Sequence, residues 1–101
     1  MVTLLRSSEF DEWLSGLKDI RAYARILSRL DGACLGNFGD YKSVGDGVFE
    51  MRIHLSPGYR IYYTQMNGAV YLLLVGGSKA SQKNDILKAK RMAKNVKGQP
   101  Q

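Results

Sequence analysis

The chain changes its hydrophobic period once, near residue 41, and that switch constrains its fold more than any other feature. Before it, apolar residues recur at helical spacing. Phe10, Trp13, Leu14 and Leu17 fall at i, i+3, i+4 and i+7, one stripe of a helix. Ser8 with Asp11 forms a weak capping box, and Gly16 marks a break. Asp19 caps a second helix. Its Ile20, Tyr23, Ala24, Leu27 and Leu30 share a face, Arg21, Arg25 and Arg29 take another, and Gly32 is its stop. After residue 41 the period is two. "YKSV" ends at "GDG", "VFEMRIHL" at "SPG", "YRIYYTQM" at "NG", and "AVYLLLVG" at "GSK". These are strands separated by turn signals, hence an antiparallel meander. Asn67-Gly68 is the best hairpin signal, since both residues accept the positive φ of a type I′ turn. "AVYLLLVG" is apolar at nearly every position and is expected at the centre of the sheet. "TLLR", residues 3–6, adds a candidate first strand, and "SQKNDILKAKRMAKNVK" is a lysine-rich helix with Ser81 as its cap. The expected class is α+β: a helix pair packed on a largely antiparallel sheet, plus a basic C-terminal helix. Residues 1–97 form one domain and 98–101 a tail.

Turn parity decides which strand residues share a face, because a slip of one residue inverts every side chain. Reading "SPG" as a three-residue loop sets Leu55 opposite Tyr59, His54 opposite Arg60, Ile53 opposite Ile61, Arg52 opposite Tyr62 and Glu50 opposite Thr64. "GDG" sets Val44 opposite Val48 and Lys42 opposite Glu50, and the Asn67-Gly68 turn sets Arg60 opposite Val75 and Tyr62 opposite Leu73. One face then gathers Lys42, Glu50, Arg52, His54, Arg60, Tyr62 and Thr64. The other gathers Phe49, Met51, Ile53, Leu55, Ile61 and Tyr63, a floor for the helix pair. The first face is expected to be half wet and net positive. Clustered cations repel and lose hydration unless an anion or carboxylate joins them. Interleaved Arg, Tyr and His side chains also suit RNA, with guanidinium on phosphate and ring on base.

Charge is unevenly distributed. Residues 79–101 carry seven Lys and Arg against Asp85 alone, which accounts for the whole net charge of +6. Such a segment attracts polyanions or simply keeps a helix face solvated. With 101 residues there is room for one modest core. No apolar run approaches a membrane span, and the N-terminus does not read as a secretory signal. The single cysteine, Cys34, excludes an internal disulfide and suits a reducing cytoplasm; it reads as a half-buried residue at a helix end. No Cys/His/Asp cluster has metal-ligand spacing, the separated Gly pairs do not make a phosphate-binding loop, and no cofactor is expected.

The segments "E-x-R-I-H" from Glu50, "PGYR-x-Y" from Pro57 and "LLL-x-GG-x-K-x-x-Q-x-x-D-I" from Leu72, in this order and spacing, resemble the RelE/ParE superfamily of bacterial toxin–antitoxin toxins. The HigB-like branch, often labelled addiction module killer proteins, is the most similar, over residues 3–95. The resemblance implies a small α+β unit with two N-terminal helices, an antiparallel sheet and a C-terminal helix. It implies metal-independent cleavage of mRNA in the ribosomal A site. By position, Arg60 matches the strand arginine near the scissile phosphate, Lys79 a second cation, and Arg52 and Lys42 basic residues of neighbouring strands. The implied partners are the ribosome with its mRNA and a small antitoxin, commonly of helix-turn-helix type; the setting is cytoplasmic. This sequence lacks the C-terminal tyrosine some relatives use, and Asp85 or Ile86 falls near its place, which leaves the general base open.

Such cleavage needs a base for the 2′-hydroxyl, cations for the phosphorane and an acid for the leaving oxygen. Arg60, Arg52 and Lys79 are the cation candidates. His54 is the side chain whose ordinary pKa suits proton transfer near neutrality. Tyr62 is a candidate for stacking on a base, and Lys42, Lys83, Lys88 and Arg91 for RNA contact. Two other readings stand beside this one: a ParE-like toxin that binds DNA gyrase without nuclease chemistry, and a non-catalytic interaction module. The cationic face with its histidine favours the nuclease.

Overall fold

The computed structural model describes residues 1–97, so the expected tail, 98–101, lies outside the described residues. The order is β1 (Thr3–Arg6), α1 (Ser8–Ser15), α2 (Ile20–Cys34), β2 (Tyr41–Gly45), β3 (Val48–Ile53), β4 (Tyr59–Asn67), β5 (Val70–Ser78), a 3₁₀ turn (Lys79–Ser81) and α3 (Gln82–Lys97). The sheet runs β1-β5-β4-β3-β2, with β1 parallel to β5 and the other pairs antiparallel. The fold is therefore α+β with a mixed five-stranded sheet. No helix among the described residues is long and apolar enough to cross a membrane.

Helix ends follow their caps, with two corrections. Ser7, not Ser8, caps α1: its hydroxyl accepts from the Phe10 amide at 2.9 Å and donates to the Leu74 carbonyl at 2.6 Å. Gly16 and Asp19 act as expected, as C-cap of α1 and N-cap of α2. Gly32 does not stop α2. The helix runs on to Cys34 because Ala33, one step further, is fully buried in the core. Cys34 is half-buried. The buried face of α2 also differs from the expected one. Ala22, Ile26, Leu30 and Ala33 face the sheet, while Ile20 is 82% exposed. The small alanines let this face approach closely; the larger apolar residues chosen from the sequence sit partly off it.

The sheet is covered on both faces. On one, Phe10, Leu14, Ile26 and Leu30 pack on Met51, Ile53, Ile61, Tyr63 and Leu73. This is the helix-pair floor expected from strand parity. On the other, Ala89 and Ala93 of α3 pack on Val48, Tyr62, Leu74 and Val75. β5 is an interior strand covered on both faces, as its unbroken apolar run predicts, but it lies between β1 and β4, and the middle of the sheet is β4. Gly76 is demanded by contact: a Cβ there would enter the Trp13 ring.

Strand pairing keeps the expected faces but not the expected partners. Across β3 and β4, Ile53 pairs with Tyr59, Arg52 with Arg60, Met51 with Ile61, Glu50 with Tyr62 and Val48 with Thr64. The register is displaced by two because the strands stop at Ile53 and Tyr59. The intervening loop closes on itself through Leu55 N–H to Ile53 O and Gly58 N–H to Leu55 O. Lys42 does pair with Glu50, but a bulge between Ser43 and Gly45 brings Gly45, not Val44, opposite Val48. Between β4 and β5 two irregularities put Arg60 opposite Gly77 and Tyr62 opposite Val75. The last pair is Asn67 with Val70, so Gly68 and Ala69 form the turn, and Gly68 rather than Asn67 takes the positive φ, +51°.

Candidate functional site

The polar face is half wet, as expected: Glu50, Tyr62 and Thr64 are buried, Arg52 and Arg60 partly exposed, and Lys42 and His54 exposed. α3 lies over part of it, and Glu50 sits beneath the start of that helix with no exposed surface. Period two in β3 puts Glu50 and Arg52 on one face, and the antiparallel register puts Arg60 and Tyr62 beside them. Glu50 collects donors from three elements. Gln82 Nε2 of α3 is 2.9 Å from Oε2, the Tyr62 hydroxyl 3.1 Å from the same oxygen, and Arg52 Nε 3.1 Å from Oε1. Arg60 Nε lies 3.7 Å from Oε2, buried, with no hydrogen-bond acceptor of its own. Burial pushes the Glu50 pKa up, but the donors Gln82, Arg52 and Tyr62 and the Arg60 charge outweigh it. The carboxyl is held below the ordinary glutamate value. Burial and then the Glu50 charge push the Tyr62 phenol well above its ordinary value, so it stays a neutral donor.

Arg60 extends from this cluster to a corner of the sheet. A Cβ on Gly58 would lie 3.6 Å from Arg60 Nη1 and 3.7 Å from the Lys79 Cβ, so the Arg60 guanidinium and the base of the Lys79 side chain border Gly58. The Lys79 amide donates to the Gly58 carbonyl at 2.8 Å, which fastens the β3–β4 loop to the end of β5. Arg60 keeps 15% of its side chain exposed and Lys79 is exposed. Opposite Arg60, a Cβ on Gly77 would fall on Asp85 Oδ2. Asp85 in turn accepts from the Ser81 hydroxyl at 2.6 Å.

Arg60, Arg52 and Lys79 are thus brought to one end of the sheet. Lys42 lies across from Glu50 but is exposed on the edge strand. His54 leaves the sheet at the head of the loop. It is 71% exposed, and its Nε2 is 2.5 Å from Asp40 Oδ2. That hydrogen bond to His54 holds the Asp40 carboxyl below its ordinary value. His54 is therefore not paired with Arg60, contrary to the expected register. Tyr62 offers no ring to a nucleotide base in this arrangement, because it is wholly buried under α3. Lys83, Lys88 and Arg91 project from the exposed side of α3.

Sequence reading missed the roles of Gln82, Asp85 and Gly77. Their spacing was visible in "GG-x-K-x-x-Q-x-x-D", but nothing in one dimension says that this helix start returns over Glu50. It also missed a ring cluster on the opposite face. Phe38 and Phe49 flank Tyr63 at centroid distances of 5.2 and 5.6 Å, with Tyr41 and Tyr71 beside them. Among the described residues no group of three or more His, Cys, Asp or Glu side chains is placed to hold a metal ion.

No family model matches the chain. It is similar to an uncharacterized protein of Haemophilus influenzae, 49% identical over 87 residues that cover 86% of this chain and 88% of that one. At that identity and coverage, the chain belongs to the same family as the Haemophilus influenzae protein.

Proposed function

We propose that this chain is a toxin of the RelE/ParE superfamily, HigB-like, that cuts mRNA in the ribosome without a metal. The observation that carries the reading is the corner where Arg60 and Lys79 flank Gly58. Arg60 lies 3.7 Å from a fully buried carboxylate, keeps 15% of its side chain exposed and has the exposed Lys79 side chain starting beside it. That arrangement suits a phosphodiester whose charge rises as the 2′-oxygen attacks phosphorus. Arg60 and Lys79 stabilise the phosphorane, and Arg52 supports them from the neighbouring strand. His54 is the proton-transfer candidate. Its Asp40 contact would orient the imidazole as carboxylates orient histidines in other active sites. The order of elements, two helices between β1 and the antiparallel strands and one helix after them, is compatible with the fold that the resemblance implies. By the same resemblance the cell supplies a helix-turn-helix antitoxin.

The test is induction of wild type and of Arg60→Ala/Lys79→Ala, with toe-printing of translated mRNA. Cuts at the A site that vanish in the double variant support the reading. A double variant that is folded and as toxic as wild type rejects it. One observation favours the gyrase-binding or non-catalytic reading: Glu50 already neutralises part of the cationic cluster, and α3 closes much of the face. Toxicity with DNA damage and intact mRNA would point to gyrase.

A further inference from the structure

At the far end of α3 the helix faces the β2–β3 turn across a cleft of about 510 Å³, lined by Asp46, Lys90, Arg91, Ala93, Lys94 and Lys97. Four cations meet one carboxylate there. Lys90, Lys94 and Lys97 stand at i, i+4 and i+7, so their positions span about 10 Å along one helix side. The Lys90 and Lys97 ammonium groups reach the turn wall, whose Gly45 and Gly47 take positive φ of +97° and +75°. A Cβ on Gly45 would lie 3.2 Å from Lys90 Nζ, and one on Gly47 3.1 Å from Lys97 Nζ. Asp46 reaches Lys90 at 3.6 Å and is otherwise 75% exposed.

We infer that this cleft is a binding track for the phosphate backbone of single-stranded RNA, separate from the Arg60 corner. The track lies about 18 Å along α3 from Gln82, by the helix rise. The charge, +3 over a row of three lysines, fits successive phosphates rather than one small anion. A protein partner fits poorly. Protein interfaces are depleted in lysine and centred on aromatic or aliphatic anchors, and among the described residues the one apolar residue lining this cleft is Ala93. Nucleic-acid interfaces are polar and strongly positive. The choice of a single strand over a duplex follows the mRNA of the cleavage reading. The choice of RNA over DNA rests on the cleavage reading above. Asp46 is the competitor: its carboxylate holds Lys90 where a phosphate would hold it.

The test is fluorescence anisotropy with a 2′-O-methyl RNA 12-mer, which binds but cannot be cut, titrated across salt. Lys90→Gln/Lys94→Gln/Lys97→Gln, checked for wild-type circular dichroism, lowers the slope of log K against log salt by about 2, at roughly 0.7 per phosphate contact on a single strand. Asp46→Asn raises affinity several-fold at low salt. Its φ of +56° is one that Asn also tolerates, so the turn is kept. Arg60→Ala, which loses cleavage if the toxin reading is right, leaves the slope change intact. A failure of that reading is therefore distinct from a failure of this one. An unchanged slope in the triple variant, no gain from Asp46→Asn, or equal competition by poly-glutamate overturns the track.

Discussion

Replacing Glu50 by Gln removes the fully buried anion under the start of α3 without changing its size. Glu50 has no exposed surface and is approached by Gln82, Tyr62, Arg52 and Arg60. A glutamine can accept at its oxygen, but its amide nitrogen must point at one of the donors. Arg60 Nε, already buried without a hydrogen-bond acceptor, then loses its counter-charge as well. Breaking a buried pair on one side costs about 3–5 kcal/mol. At about 4–8 °C per kcal/mol for a domain of this size, the thermal midpoint falls by more than about 10 °C. The pH dependence carries a sign. The folded pKa of Glu50 lies below its ordinary value, so its stabilisation is complete above the unfolded pKa, near about 4.3, and is lost as pH falls through the folded pKa. Urea melts of both proteins between pH 7 and pH 3 measure this. The gap is widest at neutral pH and narrows on the acid side. A variant as stable as wild type at pH 7, or a gap that widens with acid, refutes the assignment of Glu50 as the pivot of the cluster.

Three further outcomes follow from particular contacts. Ser7→Ala costs about 1–2 kcal/mol by removing the α1 cap, while Ser8→Ala, on the exposed first turn, shifts the urea midpoint little. Gly76→Ala pushes a methyl into the ring of Trp13, the chain's single tryptophan, and costs about 1–3 kcal/mol with a shift in its fluorescence maximum. Arg29 donates to the carbonyls of Arg52, at 2.5 Å, and Phe38, at 3.0 Å, so Arg29→Met costs about 2–3 kcal/mol in denaturant melts and loosens the entry to β2.

The sheet faces were legible because they depend only on parity. β3 and β4 pair two residues away from the expected register, yet Ile61 and Tyr63 still face the helix pair and Arg60 still joins Arg52 and Glu50. An even displacement preserves faces; only an odd one inverts them. The partners themselves were not legible. They turn on where the strands stop before the 54–58 loop and on irregularities near Tyr62 and Gln65, and neither leaves a periodic mark. The buried side of α2 was misread for a related reason. Ala22, Ile26, Leu30 and Ala33 are chosen for close approach, and alanine adds little to a count of apolar residues. The largest gap concerned α3. Its alanines and half-buried Ile86 and Met92 are weak apolar signals beside seven lysines and arginines in residues 79–101. Its coverage of Tyr62 and Glu50 came from tertiary packing alone.

That coverage changes the electrostatic problem posed by an arginine among tyrosines. Arg52 and Arg60 standing side by side would repel and would lose hydration under a helix. Glu50 removes the conflict, and it does so without consuming either side chain: Arg52 is gripped through Nε on one oxygen, and Arg60 Nε faces the other. Both guanidiniums are held by their inner edges, and Arg60 Nη1 turns toward Gly58 and Lys79. A buried carboxylate placed there fixes the direction of a cation while leaving its outer edge for an anion. Gln82 extends that hold to α3, so the helix start and Arg60 both meet the same oxygen, Oε2 of Glu50. On the proposed reading, an arginine that meets phosphate is served by this arrangement: a charge compensated from within and an outer edge that keeps 15% of the side chain exposed.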